Sequence, residues 1–535
     1  MFRKVLLLLV AVGVLAPGVW ICIEHFRGRH QLAAVLKEFR DRNEPLDLQL
    51  LWPGQVPSAS NGLNAELSAV ARMTELGQLN VPVMMLGGPG KAVPGTRLDG
   101  WAKDKAWHTW DEVGAAIDRH AGDFEALQAA LERPYRRLPL DLSSGFSKMR
   151  IAHLGPLKSA VMCLGVSAIE AARRGDFENA MTDLQLARVV EKDLESEPLF
   201  ISQLVRLACN SINLRHAWVV LHTASWTPEQ LKRLQNHVAS GPAAIAPILR
   251  GLQGERAGVL PELQGRGGYE VTEVFGLSGS SPPAGGAAQT LEVPATVDEA
   301  VGMAEPVLVR VVNFLLTRIV FPIWYFGWGD QAIVEYLRAM EVLLESGRQA
   351  VSSVEMTRRL NNDLLPRIRP GPGYSRLRSL FASSLMAAFE KAVSRGFRAE
   401  TEQALLTSEI AVRRYLAQRG QLPETLEMLV PEYLEAVPVD RMDGQPIRYR
   451  REAVGGFVLW SVGEDGKDDG GHASMPENRW HGRTYSPWLR SSDAVWPQPA
   501  SDEERAAWVA EEMRLWEKAR SSQTNSPARA PAAAH

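Results

Sequence analysis

Asp465, Asp468 and Asp469 are the residues of this chain whose type and spacing point most directly to a chemistry. They follow the apolar run Phe457-Val-Leu-Trp-Ser461 and are interleaved with Gly466, Gly470 and Gly471. Carboxylates this close repel, and a hard divalent cation relieves the repulsion. Calcium takes about six to eight oxygens from flexible carboxylates and carbonyls. The three aspartates, with carbonyls near Leu459 and Ser461, are therefore the candidate metal ligands. The alternating acidic pattern of an EF-hand is absent. The competing reading is a solvated acidic hairpin loop whose glycines simply turn the chain.

Other motifs fall short of their chemistry. Gly87-Gly-Pro-Gly-Lys91 has the outline of a phosphate loop. However, Met85 stands where the upstream glycine is required, and Ala92 replaces the magnesium-binding Ser/Thr. Gly276-Leu-Ser278 lacks the closing glycine of a hydrolase elbow, because position 280 is Ser280. His216 and His222 lie on different sides of a helix and make poor joint ligands. Trp101, Trp107 and Trp110 sit beside Lys103, Asp104 and Lys105. They could stack on sugar rings or anchor a loop-rich subdomain to the body.

A longer series of residues surrounds the acidic loop. Gly420-Gln-Leu-Pro423, Leu426, Leu429-Val-Pro431, Tyr433-Leu434, Pro438-Val-Asp440, Gly444-Gln-Pro446, Tyr449 and Leu459-Trp-Ser-Val-Gly-Glu-Asp-Gly466 occur in that order. This stretch, about 415–471, resembles the C-terminal part of the major pseudopilin of type II secretion systems. The resemblance implies a helix, a Pro-Asp turn, a small antiparallel sheet and a calcium loop. The chain departs from the family in lacking a prepilin cleavage motif and in carrying one extra residue in each of the two turns. It also lacks a clear later acidic ligand after Gly471, and hundreds of residues separate this stretch from the N-terminus. The implication is a pseudopilin-like module on a larger protein rather than a pilus subunit.

The N-terminus carries the second strong signal. Val5 to Ile23 is apolar and uncharged. About 19 residues at a helical rise of about 1.5 Å span roughly 28 Å, one bilayer core. Val14-Leu-Ala16 followed by Pro17 makes a poor cleavage site, so an uncleaved anchor is expected rather than a removed signal peptide. Arg27, Arg29 and Lys37 beyond the span oppose the orientation that Arg3 and Lys4 favour. The short flank before the span sets the expectation: the inner (cytoplasmic) membrane, crossed once, with the body periplasmic or extracytoplasmic. Pro306 to Phe326 is also apolar but carries Arg310 and Arg318, so a buried helix is expected there.

A net charge of −3, with no basic stripe, argues against a nucleic-acid partner. Three cysteines, one of them in the apolar N-terminus, cannot define a disulfide framework. Cys163 and Cys209 read as buried free thiols, with a pair between them left open.

Helical signals fill the middle of the chain. Asp176 caps a run in which Phe177, Ala180, Leu184 and Ala187 recur at helical spacing. Ile201, Leu204, Val205, Ala208 and Ile212 form the next stripe. Trp226-Thr-Pro-Glu-Gln-Leu231 is a full start signal, with Thr227 as cap and Pro228 in the first position.

The expected fold is mainly α: an N-terminal transmembrane helix, an antiparallel helical bundle ectodomain and a small C-terminal α+β module. The divisions are an anchor at 1–30, helical halves at 31–240 and 297–419 and a Gly/Pro/Ser-rich loop at 241–296. A β-containing module at 420–500 and a terminal helix and tail at 501–535 follow. The function expected is an interaction or scaffolding role in the envelope, with envelope proteins as partners and a link to secretion. An envelope hydrolase or carbohydrate-binding protein is the alternative, so enzymatic activity stays open.

Overall fold

The computed structural model describes residues 2–52, 54, 56–78, 85–88, 90–93, 110–139, 141, 146–265, 321–364, 366, 375–452, 456–472, 493–501 and isolated positions in 503–514. Trp101, Trp107, the Gly276–Ser278 motif, residues 266–296 of the expected loop and most of the expected terminal helix and tail lie outside them, while 245–265 of that expected loop is helical instead.

The protein is mainly helical. Helix α1 runs unbroken from Phe2 to Asp41, with Pro17 inside it. Smaller helices α2 (Leu63–Arg72), α3 (Trp110–Arg119) and α4 (Ala121–Leu131) precede a longer set. That set is α5 (Leu154–Arg173), α6 (Phe177–Glu195), α7 (Phe200–Thr223), α8 (Pro228–Ala239) and α9 (Ile245–Gly265). After the undescribed stretch come α10 (Phe321–Gln349) and the long α11 (Ser375–Arg419). Helices α5, α6 and α7 pack on one another, α1 packs on α10, and α11 packs on α8, α10 and α7.

Local chemistry sets these boundaries. Gly175 takes a left-handed φ of +77° after α5, and the Asp176 side chain accepts the Asn179 amide to open α6. Thr227 and Gln230 form a reciprocal capping box, with Pro228 in the first turn of α8. Trp226 donates to the Val220 carbonyl and packs against Phe177. Gly165 on α5 allows α7 to approach closely, since a Cβ there would meet His216 Nδ1 at 1.7 Å.

The α6 stripe is buried as its spacing predicts, with Phe177, Ala180, Leu184 and Ala187 all in the core. Helix α7 is rotated from expectation. Ile201 is exposed, and Leu204, Val205, Ala208 and Ile212 are only half-buried. The fully buried face instead carries Ser202, Gln203, Arg206, Asn210, Asn213 and His216. The reason for most of that face is partner supply, although His216 Nδ1 and Asn213 Oδ1 have no hydrogen-bond partner. Arg188 of α6 donates to Glu191 and Asn210, and Asn213 donates to Glu191. Gln203 donates to the Leu194 and Glu197 carbonyls. A polar face whose partners are built into the neighbouring helix can be buried without large penalty.

Strands are few. Strands β1 (Met85–Gly88) and β2 (Lys91–Val93) pair antiparallel. The phosphate-loop look-alike is therefore a hairpin, not a strand-to-helix turn. Near the C-terminus, β3 (Arg448–Arg451), β4 (Phe457–Ser461) and β5 (Ala494–Val495) form an antiparallel sheet in the order β3-β4-β5. The short strand β6 (Gln498–Pro499) joins β2 in parallel. The largest core cluster includes Leu32 of α1, Trp218 of α7, Tyr336 of α10, Ile410 of α11 and Leu459 of β4. The C-terminal sheet thus shares one apolar core with the helices.

Cys163 and Cys209 are free and buried, and burial pushes their thiols up to about 11 and about 12. Both are protonated at neutral pH and poor nucleophiles.

His216 and His237 give the fold an acid limit. Burial first, then the neighbouring Arg215 charge, brings His216 down to about 4. Burial, then Arg188, brings His237 down to about 3. The unfolded chain therefore binds protons below about pH 6.5 that the folded chain refuses. Their contribution is complete above that pH and is lost as pH falls toward the folded values. Each histidine is expected to remove about 2 kcal/mol between pH 7 and pH 5. Denaturant melts at the two pH values check this, and the His237→Gln variant should show the shallower slope.

Candidate functional site

The acidic loop is positioned by a buried carboxylate just upstream of the sheet. Asp440 follows Pro438-Val439 and is fully buried. Its Oδ1 accepts from the Met442 amide at 2.9 Å and from the Ser461 hydroxyl at 2.9 Å. Its Oδ2 accepts from the Val462 amide at 3.0 Å and pairs with Arg448 at 2.9 Å. One side chain therefore ties the Pro-Asp turn, the end of β4 and the start of β3 together. Burial pushes the Asp440 carboxyl up, against the Met442 amide, the Ser461 hydroxyl and the Val462 amide.

Arg448 is the cation of this site. It pairs with Asp440 and Asp443 and reaches Asp468 Oδ2 at 3.3 Å. The other oxygen of Asp468 accepts from Trp460 Nε1 and the Gly470 amide, both at 3.0 Å. Burial pushes Asp468 up, but the Trp460 and Gly470 hydrogen bonds and the Arg448 charge outweigh it and hold the carboxyl low.

The three expected ligands each have partners of their own. Asp465 Oδ1 accepts the Lys467 amide at 3.0 Å and closes its own turn. Asp468 turns to Arg448 and Trp460. The Asp469 amide donates to Asp493, which also accepts the Gly471 amide at 2.7 Å. Among the described residues, no three or more His, Cys, Asp and Glu side chains are grouped to hold a metal ion. A calcium ion coordinated through Asp468 Oδ2 would compete with Arg448.

The glycines do more than turn the chain. Gly466 has φ of +69°, and a Cβ there would meet Val354 Cγ2 at 2.5 Å. Gly471 has φ of +77°, and a Cβ would lie 3.0 Å from the Trp460 ring. The loop is thereby seated on the short helix Ser353–Arg359 and on the sheet.

Two further polar clusters lay outside the sequence expectations. Glu409 of α11 is fully buried, with Arg413 and His222 Nε2 each 2.9 Å from Oε1. Trp496 Nε1 donates to Oε2 at 2.7 Å. Burial pushes Glu409 up, but the His222 and Arg413 charges and the Trp496 hydrogen bond bring it down to about 2. Burial lowers His222, against the raising effect of the Glu409 charge and hydrogen bond.

The second cluster is His153, Glu197 and Ser202. His153 Nε2 lies 2.9 Å from Glu197 Oε1, and the Ser202 hydroxyl donates to Glu197 Oε2 at 2.6 Å. The carboxylate stands between the imidazole and the hydroxyl. A nucleophilic triad needs the serine on the imidazole, and all three residues are buried. The arrangement cross-links the start of α5 to the α6–α7 turn and activates no nucleophile.

Neither cluster left a pattern in the sequence; the polar α7 face did, since Gln203, Arg206, Asn210 and Asn213 recur at helical spacing, as Arg188 and Glu191 do on α6. Compared with known proteins, the chain matches no family model, no curated protein and no solved structure.

Proposed function

We propose that the protein is a single-pass membrane-anchored envelope component with an interaction or scaffolding role linked to secretion. In this reading Val5–Ile23 crosses the inner membrane. An antiparallel helical bundle and a small pseudopilin-like α+β module lie on the periplasmic side. The observation that carries it is the continuity of α1. The helix that holds the apolar run continues without a break to Asp41 and is locked into the body. Phe39 is fully buried beneath the guanidinium groups of Arg42, Arg256 and Arg338. Glu38 pairs with Arg338, and Arg42 with Glu341. Body and anchor then move as one piece, as a scaffold requires.

The surface for a protein partner is the apolar patch of Val351, Val354 and Val439, all exposed. Hydrogen bonds from the Ser353 and Val354 amides to the Arg441 and Met442 carbonyls bring these segments together. Photo-crosslinkers at Val351 and Val439 in intact cells are expected to capture a discrete envelope protein. Capture of nothing from either position, together with hydrolysis of cell-wall glycan by the purified chain, would move the reading to the enzyme.

Calcium at Asp465, Asp468 and Asp469 is a separable proposal, supported by the carboxylate density of the loop. Calorimetry of the full chain at millimolar calcium tests it. A binding heat that Asp465→Ala abolishes supports the metal. No heat leaves Arg448 as the cation that closes the loop.

A further inference from the structure

We propose that the start of α10 is a second membrane-contacting element, inserting beside the anchor to form a two-helix foot in the lipid. This rests on the reading of Val5–Ile23 as a membrane span.

The register of α1 against α10 carries the inference. A Cβ on Gly327 would meet Ile21 Cγ2 at 3.2 Å, and the Trp20 and Trp328 rings are 5.2 Å apart. His25 Nδ1 lies 2.7 Å from the Phe326 carbonyl, and the His25 and Phe326 rings stack. Gln331 donates to Glu24, Arg338 pairs with Glu38 and Glu341 pairs with Arg42. The contacts advance together along both helices, so α1 and α10 run in the same direction. If the anchor enters the bilayer toward its N-terminus, α10 points its own N-terminus into the same bilayer.

Depth follows from helix geometry. Ile323 precedes Trp328 by five residues, about 7.5 Å at the helical rise. That places it beyond Trp20, level with the middle of the apolar run. The segment Phe321-Pro-Ile-Trp-Tyr-Phe-Gly-Trp328 carries no charge, and the first charged residue is Asp330, beside Gly28 past the end of the run. The Tyr325 hydroxyl donates to the Leu263 carbonyl, which satisfies its polar atom.

The exposed side chains at this level are apolar on both helices. Leu15, Val19, Ile23 and Phe26 of α1 face outward, with Phe26 69% exposed. Ile323 and Phe326 of α10 are each 50% exposed. Trp20 and Trp328 stand where the run ends, the level at which tryptophans settle between hydrocarbon and headgroups. Arg27 and Arg29 follow immediately, placed for phosphate headgroups. Water offers nothing to so large an uncharged surface on two helices, whereas lipid covers both without rearrangement.

The test uses the full chain in liposomes containing shallow spin-labelled lipids, with an environment-sensitive fluorophore on a single cysteine. Native Cys22, which is exposed, reports the anchor. Ile323→Cys in a Cys22→Ser background reports α10, and Met428→Cys in the same background reports the body. Cys163 and Cys209 are buried and escape the label. The label at 323 is expected to be blue-shifted and quenched, less strongly than Cys22 by these shallow labels because it lies deeper, with 428 unaffected. Quenching at Cys22 without quenching at 323 overturns this inference and leaves the anchor standing. Quenching at neither position overturns the anchor reading and this inference with it.

Discussion

Replacing Asp440 by alanine is expected to loosen the C-terminal sheet from the helices and to cost about 3–5 kcal/mol, because removing one partner of a buried ion pair leaves the other uncompensated. The side chain is fully buried and serves two amides, the hydroxyls of Ser461 and of Thr401 on α11, and a guanidinium. In the variant, Arg448 keeps Asp443 and Asp468, but the Met442 and Val462 amides lose their acceptor. Hydrogen exchange should accelerate at 442 and 462 before it does in α6 or α7. Asp440→Asn, which retains a carbonyl oxygen for part of this work, should lose less. A melt unchanged in Asp440→Ala would show that the Pro-Asp turn is not the tie between sheet and body.

Glu409→Ala is expected to cost about 3 kcal/mol, toward the low end for a buried pair, since Arg413 is partly exposed and can turn to water. The larger loss falls on Trp496 and His222, which stay buried with a ring N–H facing no acceptor. Trp496 links the end of β5 to α11, so the β2–β6 pairing should fray as well. The pH dependence separates this site from the histidines. Glu409 is depressed from 4.5 to about 2, so its contribution is present above pH 4.5 and is lost as pH falls through the folded value. The histidine loss begins near pH 6.5. Wild-type and Glu409→Ala stability should therefore converge in acid below pH 4.5, as Glu409 takes up its proton.

These two residues show where the sequence was readable. Helix ends were legible because caps are local: Asp176, Thr227, Gln230 and Gly175 act within a few residues of where they stand. The mainly helical class followed from the same signals. The α7 face was not legible from apolar spacing, because its burial depends on Arg188, Glu191 and Glu197 of a neighbouring segment. Asp440 was visible as part of a turn. Its service to Ser461 and Val462 required the sheet, about twenty residues on, to fold back over it. The loop aspartates were visible as charge, but Arg448, eight residues after Asp440, was not visible as the cation that reaches them. Glu409 gave no signal at all: its partners come from α7, its own helix and the end of β5.

The central claim is that the apolar run Val5–Ile23 fixes this protein in a membrane as one piece with its body. Membrane fractionation followed by alkaline carbonate extraction tests it most directly, with mass spectrometry of the intact chain. The account predicts full-length protein retained in the carbonate-washed membranes and released only by detergent. Soluble protein whose N-terminus lies at Pro17 or later would contradict it.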